Sequence, residues 1–262
     1  MTTPTSILDL PAISGCYLFP QPRFVSNPFI VQVDGAELAC HRTITDPAQL
    51  TLVHFHGNGE AVADYVPWMA EALADLGLNS LFVEYRAYGA STGKAQLSAM
   101  LGDGEAVLAA AGLAPEQVIA FGRSIGSLYA IELVHRLPNI AGLVIESGIA
   151  APSERFLARA NLTGTGLTAA EVEAAARAGF DHQKKLAGYT NPLLILHTEN
   201  DGLIDMSHAE RNYRWCGSSH KQLLRFPLGN HNSILGMNRR EYFQALKDFV
   251  MTVGQLGASQ DS

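Results

Sequence analysis

Phe121-Gly122-Arg123-Ser124-Ile125-Gly126-Ser127, FGRSIGS, follows a short apolar run, QVIAFG (117–122), and precedes a helix-like one. The stretch has a mechanical reading. A strand that turns into a helix within so few residues forces the central residue into a strained backbone conformation, and main chain presses on the positions beside it. Those positions must be small, as Gly122 and Gly126 are. The turn would push the Ser124 hydroxyl out above the strand ends. The same residues also fit a serine helix cap with two packing glycines, so the surroundings decide.

The surroundings alternate. FIVQV (29–33) and 37–43, joined at Asp34-Gly35, read as an antiparallel hairpin. Apolar runs then recur at 51–57, 78–86, 117–122, 141–147, 193–198 and 222–227. Between them, 61–76, 96–111 and 125–137 carry helical spacing, and 238–253 reads as a closing helix. Near-continuous apolar strands separated by helices predict a mostly parallel sheet covered on both faces. The expectation is one α/β domain over 1–262. Residues 150–190, with the helical patch TAAEVEAAARAGF, form either a small cap over the strand ends or an ordinary crossover helix with a long loop.

Composition narrows the function. Hydrophobic residues make up 47% and charged ones 16%, so the chain is globular rather than disordered. A formal net charge of −7 without a basic cluster argues against nucleic acid and against anionic membranes. Cys16, Cys40 and Cys216 are too few and too scattered for a disulfide framework and suit a reducing compartment. The N-terminal stretch lacks a basic start and an apolar run, and no segment approaches the ~18 apolar residues of a membrane helix. A soluble, cytoplasmic protein without a membrane anchor is expected; oligomeric state is not legible.

A serine hydroxyl needs a neutral imidazole to take its proton and a carboxylate to orient that imidazole. His231, in LGNHNSIL after the sixth parallel-type run, and Asp201, in LLILHTENDGLID just past the fifth, follow Ser124 in the chain order Ser, Asp, His. Asp205, Glu199 and Glu146 compete for the acid position. Asp201 is favoured by its tight Asn-Asp-Gly turn, and Asp205 suits a helix cap. The backbone N–H groups of Asn58, in HFHGNGE, and Ile125 are the candidate oxyanion donors. His54 and His56 alternate across a strand and lack a third partner at metal spacing, so both read as framework residues. No metal and no cofactor is expected. Arg123 either touches a substrate anion or braces neighbouring loops. Arg86 and Tyr88 fix a loop, and the apolar positions of 61–76 are core.

The segments HFHGNGE, EYRAYGAS, FGRSIGS, LVIESG, LLILHTENDGLIDMSHA and GNHNSI together resemble the α/β-hydrolase superfamily, and its Bem46-like branch of serine hydrolases most. The likeness runs from about residue 50 to 235. It implies Ser124 as nucleophile, Asp201 as acid and His231 as base. Thr198 and Ser127 depart from the branch's pattern without touching those three. Some eukaryotic members are protein depalmitoylases anchored through an N-terminal cysteine cluster; this sequence does not show that cluster, so the protein-palmitate substrate does not carry over. The resulting expectation is hydrolysis of a small-molecule carboxylic ester or thioester through an acyl-enzyme. Amide or peptide hydrolysis of prolyl-oligopeptidase type, or non-catalytic binding on the same fold, are the alternatives.

Overall fold

The structure, a computed structural model, describes residues 6–260. A short helix, α1 (Ser14–Tyr17), precedes the hairpin β1 (Phe29–Val33) and β2 (Ala36–Thr43). Gly35 turns that hairpin with φ +76°, a conformation glycine adopts without a Cβ clash. The chain then runs β3 (Thr51–Phe55), α2 (Trp68–Asp75), β4 (Asn79–Val83), α3 (Asp103–Ala111), β5 (Val118–Arg123), α4 (Gly126–Arg136) and β6 (Gly142–Glu146). Next come α5 (Pro152–Leu157), α6 (Ala169–Phe180), α7 (His182–Ala187), β7 (Leu193–Thr198), α8 (Met206–Trp215), β8 (Lys221–Phe226), α9 (Ile234–Met237) and α10 (Arg239–Gln260).

The strands form one sheet in the order β1-β2-β4-β3-β5-β6-β7-β8. β1, β2 and β4 pair antiparallel in succession, and every pairing from β4 to β8 is parallel. β3, β4, β6 and β7 are buried along their whole length, as strands covered on both faces must be. On one face, Ala120 and Ile145 pack with Leu128 and Ile131 of α4. On the other, Phe121 and Val144 pack with Met69 of α2 and Leu246 of α10. The carboxyl ends of β5, β6 and β7 therefore open together at one edge of a doubly covered sheet.

Three helical expectations shift, each for a physical reason. The 61–76 pattern yields only a short 3₁₀ turn (Val62–Asp64) before α2, because Pro67 lacks an N–H and its ring clashes with the preceding turn. The 96–111 pattern becomes helical only at Asp103. Two N–H groups just before it bond elsewhere, Leu97 to Ser14 Oγ (2.9 Å) and Ser98 to Asp9 Oδ1 (2.7 Å). The closing helix runs past residue 253 to Gln260. Residues 150–190 hold α5, α6 and α7. Thr168 and Glu171 cap the start of α6 reciprocally, and Phe156 meets Tyr17 and Phe180 edge-on at 5.1 and 5.3 Å. No helix among the described residues is long and apolar enough to cross a membrane.

Burial also sets an acid sensitivity. His182 lies fully buried in α7, and its imidazole is pushed down to about 3 by burial and by nearby Lys185, against a hydrogen bond to the Ile149 carbonyl. His54 is held well below the usual range by burial, His56 and Arg123. An unfolded imidazole takes up its proton near ~6.5, so below that pH the unfolded chain binds protons that the folded one does not, and stability falls as pH falls. Each such histidine contributes up to about 1.4 kcal/mol of lost stability per pH unit. Urea unfolding is expected to show the midpoint dropping between about pH 6.5 and 4.5, with a shallower slope in His182→Gln. An unchanged slope in that variant would show that the ring is not neutral in the fold.

Candidate active site

β5 delivers the chain to Ser124, which adopts φ +52°, a left-handed conformation that costs a non-glycine residue about 1–2 kcal/mol. The neighbours hold it there. Ser124 N–H donates to the Glu146 carbonyl at the end of β6 (2.9 Å). A Cβ on Gly122 would stand 2.6 Å from the Gly126 carbonyl oxygen, and one on Gly126 would stand 2.0 Å from that of Phe55. Ser127 Oγ donates to the Ser124 carbonyl (2.6 Å) and accepts from Ile149 N–H (2.9 Å), tying the turn to the segment after β6.

The turn aims the Ser124 hydroxyl at the loop after β8. His231 Nε2 lies 2.9 Å from Ser124 Oγ, and its Nδ1 lies 2.7 Å from Asp201 Oδ2. Nδ1–H donates to the carboxylate, which leaves Nε2 to accept from the hydroxyl. Asp201 Oδ1 accepts from Leu203 N–H (2.9 Å) and Ile204 N–H (2.8 Å). Burial works to raise the Asp201 carboxyl, but the His231 hydrogen bond and these N–H groups hold it below the usual range. All three side chains are buried. The loop carrying His231 is stiffened by Asn230 N–H to Ser233 Oγ (2.9 Å) and Asn232 N–H to Asn230 Oδ1 (3.0 Å). Thr198 Oγ1 adds a bond to the Gly229 carbonyl (3.1 Å).

The competing acids sit elsewhere. Asp205 caps α8 by accepting from Ser207 N–H (2.9 Å). Glu199 is exposed. Glu146 faces Arg123 and Tyr242. Asn58 and Ile125 line the same cleft of about 160 Å³ as Ser124 and His231. Asn58 is anchored by its side chain: Nδ2 donates to the Tyr17 carbonyl (2.5 Å), and Oδ1 accepts from Phe19 N–H and the Tyr88 hydroxyl (both 2.9 Å).

A family model described as serine aminopeptidase, S33, matches residues 46–165, a stretch that holds Asn58, Ser124 and Ile125 and ends before Asp201 and His231. Human alpha/beta hydrolase domain-containing protein 17B is 27% identical over 224 residues, covering 82% of this chain and 72% of the relative. The uncharacterized protein YfhR of Escherichia coli is 23% identical over 215 residues, covering 79% and 72%. Among solved structures, the esterase Pf2001 from Pyrococcus furiosus aligns with TM-score 0.69 at 18% identity, over 89% of this chain and 99% of that one. A monoacylglycerol lipase from Paleococcus ferrophilus aligns with TM-score 0.65 at 16% identity, over 82% and 99%.

The chain has the α/β-hydrolase fold.

Beside the Ser124–His231–Asp201 group a second polar group braces the first. Arg123 binds Glu60 through Nη1 (2.5 Å) and Glu146 through Nε (3.0 Å), while Nη2 donates to the His231 carbonyl (3.1 Å) and Asn232 Oδ1 (3.3 Å). Glu60 Oε2 also accepts from Gly57 N–H (2.6 Å) and the Tyr65 hydroxyl (2.5 Å). The Tyr242 hydroxyl donates to Glu146. One guanidinium thus ties the loop holding Asn58, the end of β6 and the loop holding His231. Its donors are engaged, so of the two sequence expectations for Arg123 the geometry matches the brace. Burial raises the Glu146 carboxyl, with Arg123 pulling against it.

Glu60, Glu84 and Tyr242 escape sequence reasoning. Glu84 binds His56 Nε2 (2.8 Å) and accepts from Val62 N–H (3.0 Å), fixing the loop after β3 from β4. His54 turns the other way, toward Tyr65, Phe82 and Phe121. Arg86 forks onto Asp103 at the start of α3 (2.8 and 2.7 Å). Arg123 and Glu146 stand side by side in the β5–β6 register.

Removing the guanidinium leaves two carboxylates facing each other. Arg123→Met is expected to lose about 3–5 kcal/mol in urea unfolding at neutral pH. The deficit should shrink in acid as Glu146, whose carboxyl burial raises, takes up its proton. A loss independent of pH would mean that lost packing, not the charge network, is responsible.

Proposed function

We propose that this chain is a serine hydrolase that cleaves a carboxylic ester or thioester through an acyl-enzyme on Ser124. The observation that carries the reading is the unbroken run from Ser124 Oγ through His231 to Asp201, at 2.9 and 2.7 Å. Ser124 Oγ attacks the carbonyl carbon as His231 Nε2 takes its proton. Asp201 holds the ring and stabilises the imidazolium. The N–H groups of Asn58 and Ile125 donate to the developing oxyanion, Ile125 preceding the first turn of α4. The imidazolium returns the proton to the departing alkoxide or thiolate. Water, deprotonated by the same imidazole, then releases the acid and restores Ser124. The three free cysteines fit a reducing compartment such as the cytoplasm.

The family model's description favours a second reading, amide hydrolysis. An aminopeptidase must hold a substrate ammonium, and a carboxylate is the natural partner for it. Among the described residues no Asp or Glu lines this cleft, whereas Arg155 and Arg159 do, which supports the ester. Rates on p-nitrophenyl butyrate and on butyryl p-nitroanilide decide between them. Ester turnover with an initial burst matching the enzyme concentration, and slow anilide turnover, is expected. An equal or faster anilide rate would make the protein an amidase.

A further inference from the structure

The Ser124 cleft has a charge pattern that the hydrolase reading does not use. Acidic residues outnumber basic ones 25 to 18 across the chain, yet the ionised side chains lining this cleft are Arg123, Arg155 and Arg159. Arg123 is engaged by Glu60 and Glu146. The other two have no ion pair among the described residues. Glu154, next to Arg155 in sequence, pairs instead with Arg211 (3.2 Å). Arg155 Nε is buried and without a hydrogen-bond partner, which is unfavourable for a donor removed from water. Arg159 lies four residues further on, just past the end of α5, and its guanidinium sits over the rings of Phe19 (5.2 Å) and Tyr17 (5.8 Å). Both guanidinium groups act on the Tyr17 hydroxyl, which burial pushes up to about 12 while they pull it down. Two cations from the segment after β6 thus line the same cleft, of about 160 Å³, as the nucleophile.

We propose that the substrate is a compact ester or thioester carrying an anionic group, a carboxylate or a phosphate, which Arg155 and Arg159 bind across the cleft from Ser124. The proposal rests on the serine-hydrolase reading and names its substrate class. The anion supplies the ion pair that Arg155 and Arg159 lack among the described residues. Guanidinium forks match carboxylate and phosphate oxygens in shape. Binding there fixes the far end of the substrate while the carbonyl meets Ser124 Oγ, and orientation of this kind raises turnover.

The test compares substrates that differ by the anion alone. Ethyl butyrate is paired with the ethyl half-ester of succinic acid, which puts a carboxylate on the acyl side. Monobutyrin is paired with butyryl glycerol phosphate, which puts a phosphate on the alcohol side. Acid release is followed by titration, with Ser124→Ala as blank. At least one anionic member is expected to exceed its neutral partner about tenfold or more in kcat/KM at low ionic strength. Which pair responds tells where the anion lies. Added salt should shrink the preference. Arg155→Gln and Arg159→Gln should each bring the anionic-to-neutral ratio toward one, and Arg155→Lys should keep part of it. Arg177→Gln, on exposed α6 surface, should leave the ratio unchanged. Because Arg159 is exposed, Arg159→Gln carries the test even where Arg155→Gln unfolds. Neutral esters turned over by Ser124 with no anionic preference would overturn the proposal and leave the hydrolase standing. No turnover of any ester, and no fluorophosphonate adduct, would overturn both.

Discussion

Ser124→Ala is expected to lower ester turnover by about 10⁴-fold or more, with little change in the fold. The hydroxyl lies 2.9 Å from His231 Nε2 and makes no other side-chain bond among the described residues. Its loss removes the attacking atom and leaves His231 Nε2 without that partner, but beside the cleft that His231 lines rather than in the apolar core. His231→Ala should fall to a similar level. Ser124→Ala/His231→Ala should be no worse than either alone, because residues that act as a unit are not additive. Asp201→Asn should also cost several orders of magnitude, since an amide facing Nδ1 favours the wrong imidazole tautomer. Unfolding adds a check on the turn itself. With φ at +52°, Ser124→Gly should be more stable than Ser124→Ala by about 1 kcal/mol. The check is paired initial rates and urea midpoints for the four single variants. Ser124→Ala at more than a tenth of wild-type rate would remove Ser124 from the mechanism.

Gly126→Ala is the expected stability catastrophe. Its Cβ would stand 2.0 Å from the Phe55 carbonyl oxygen, 2.6 Å from the carbon, and 2.8 Å from the His56 carbonyl oxygen. These are main-chain atoms of β3 and the loop that carries Asn58, so no side-chain rotation relieves the clash. Either α4 lifts off the sheet or β3 shifts against β5. A loss above about 3 kcal/mol follows, or about 10 °C or more in Tm for a chain of this size. Gly254→Ala is the control. Gly254 lies in α10 with nothing within 4 Å of an added Cβ, and alanine there should stabilise by up to about 1 kcal/mol. Equal midpoints for the two variants would mean that the close approach of α4 to β3 is not a constraint.

Those contacts also explain what the sequence could and could not reveal. The sheet was legible because strands covered on both faces must read as apolar runs, and β3, β6 and β7 do. The turn at Ser124 was legible because only glycine fits at 122 and 126. Asp201 and His231 were legible because residues just past β7 and β8 have to emerge at the same sheet edge. Helix boundaries failed where distant side chains intervened: Ser14 and Asp9 capture N–H groups ahead of α3, and nothing in residues 94–102 announces partners so far upstream. The brace around Arg123 failed for a related reason. Glu60, Glu146 and Tyr242 come from three separate segments, and only the strand order and register bring them to one guanidinium. Arg155 of α5 and Arg159 just past it look like ordinary surface arginines until that segment is seen beside the cleft.

Reaction with a fluorophosphonate, followed by trypsin and mass spectrometry, reads the nucleophile directly. Cleavage after Arg123 and Arg136 releases a peptide that begins with Ser124. One phosphonyl group per chain is expected on that peptide, fragmenting to Ser124 rather than Ser127, and absent from Ser124→Ala. An unlabelled peptide from a folded protein, or a label that persists in Ser124→Ala, would contradict nucleophilic attack by Ser124.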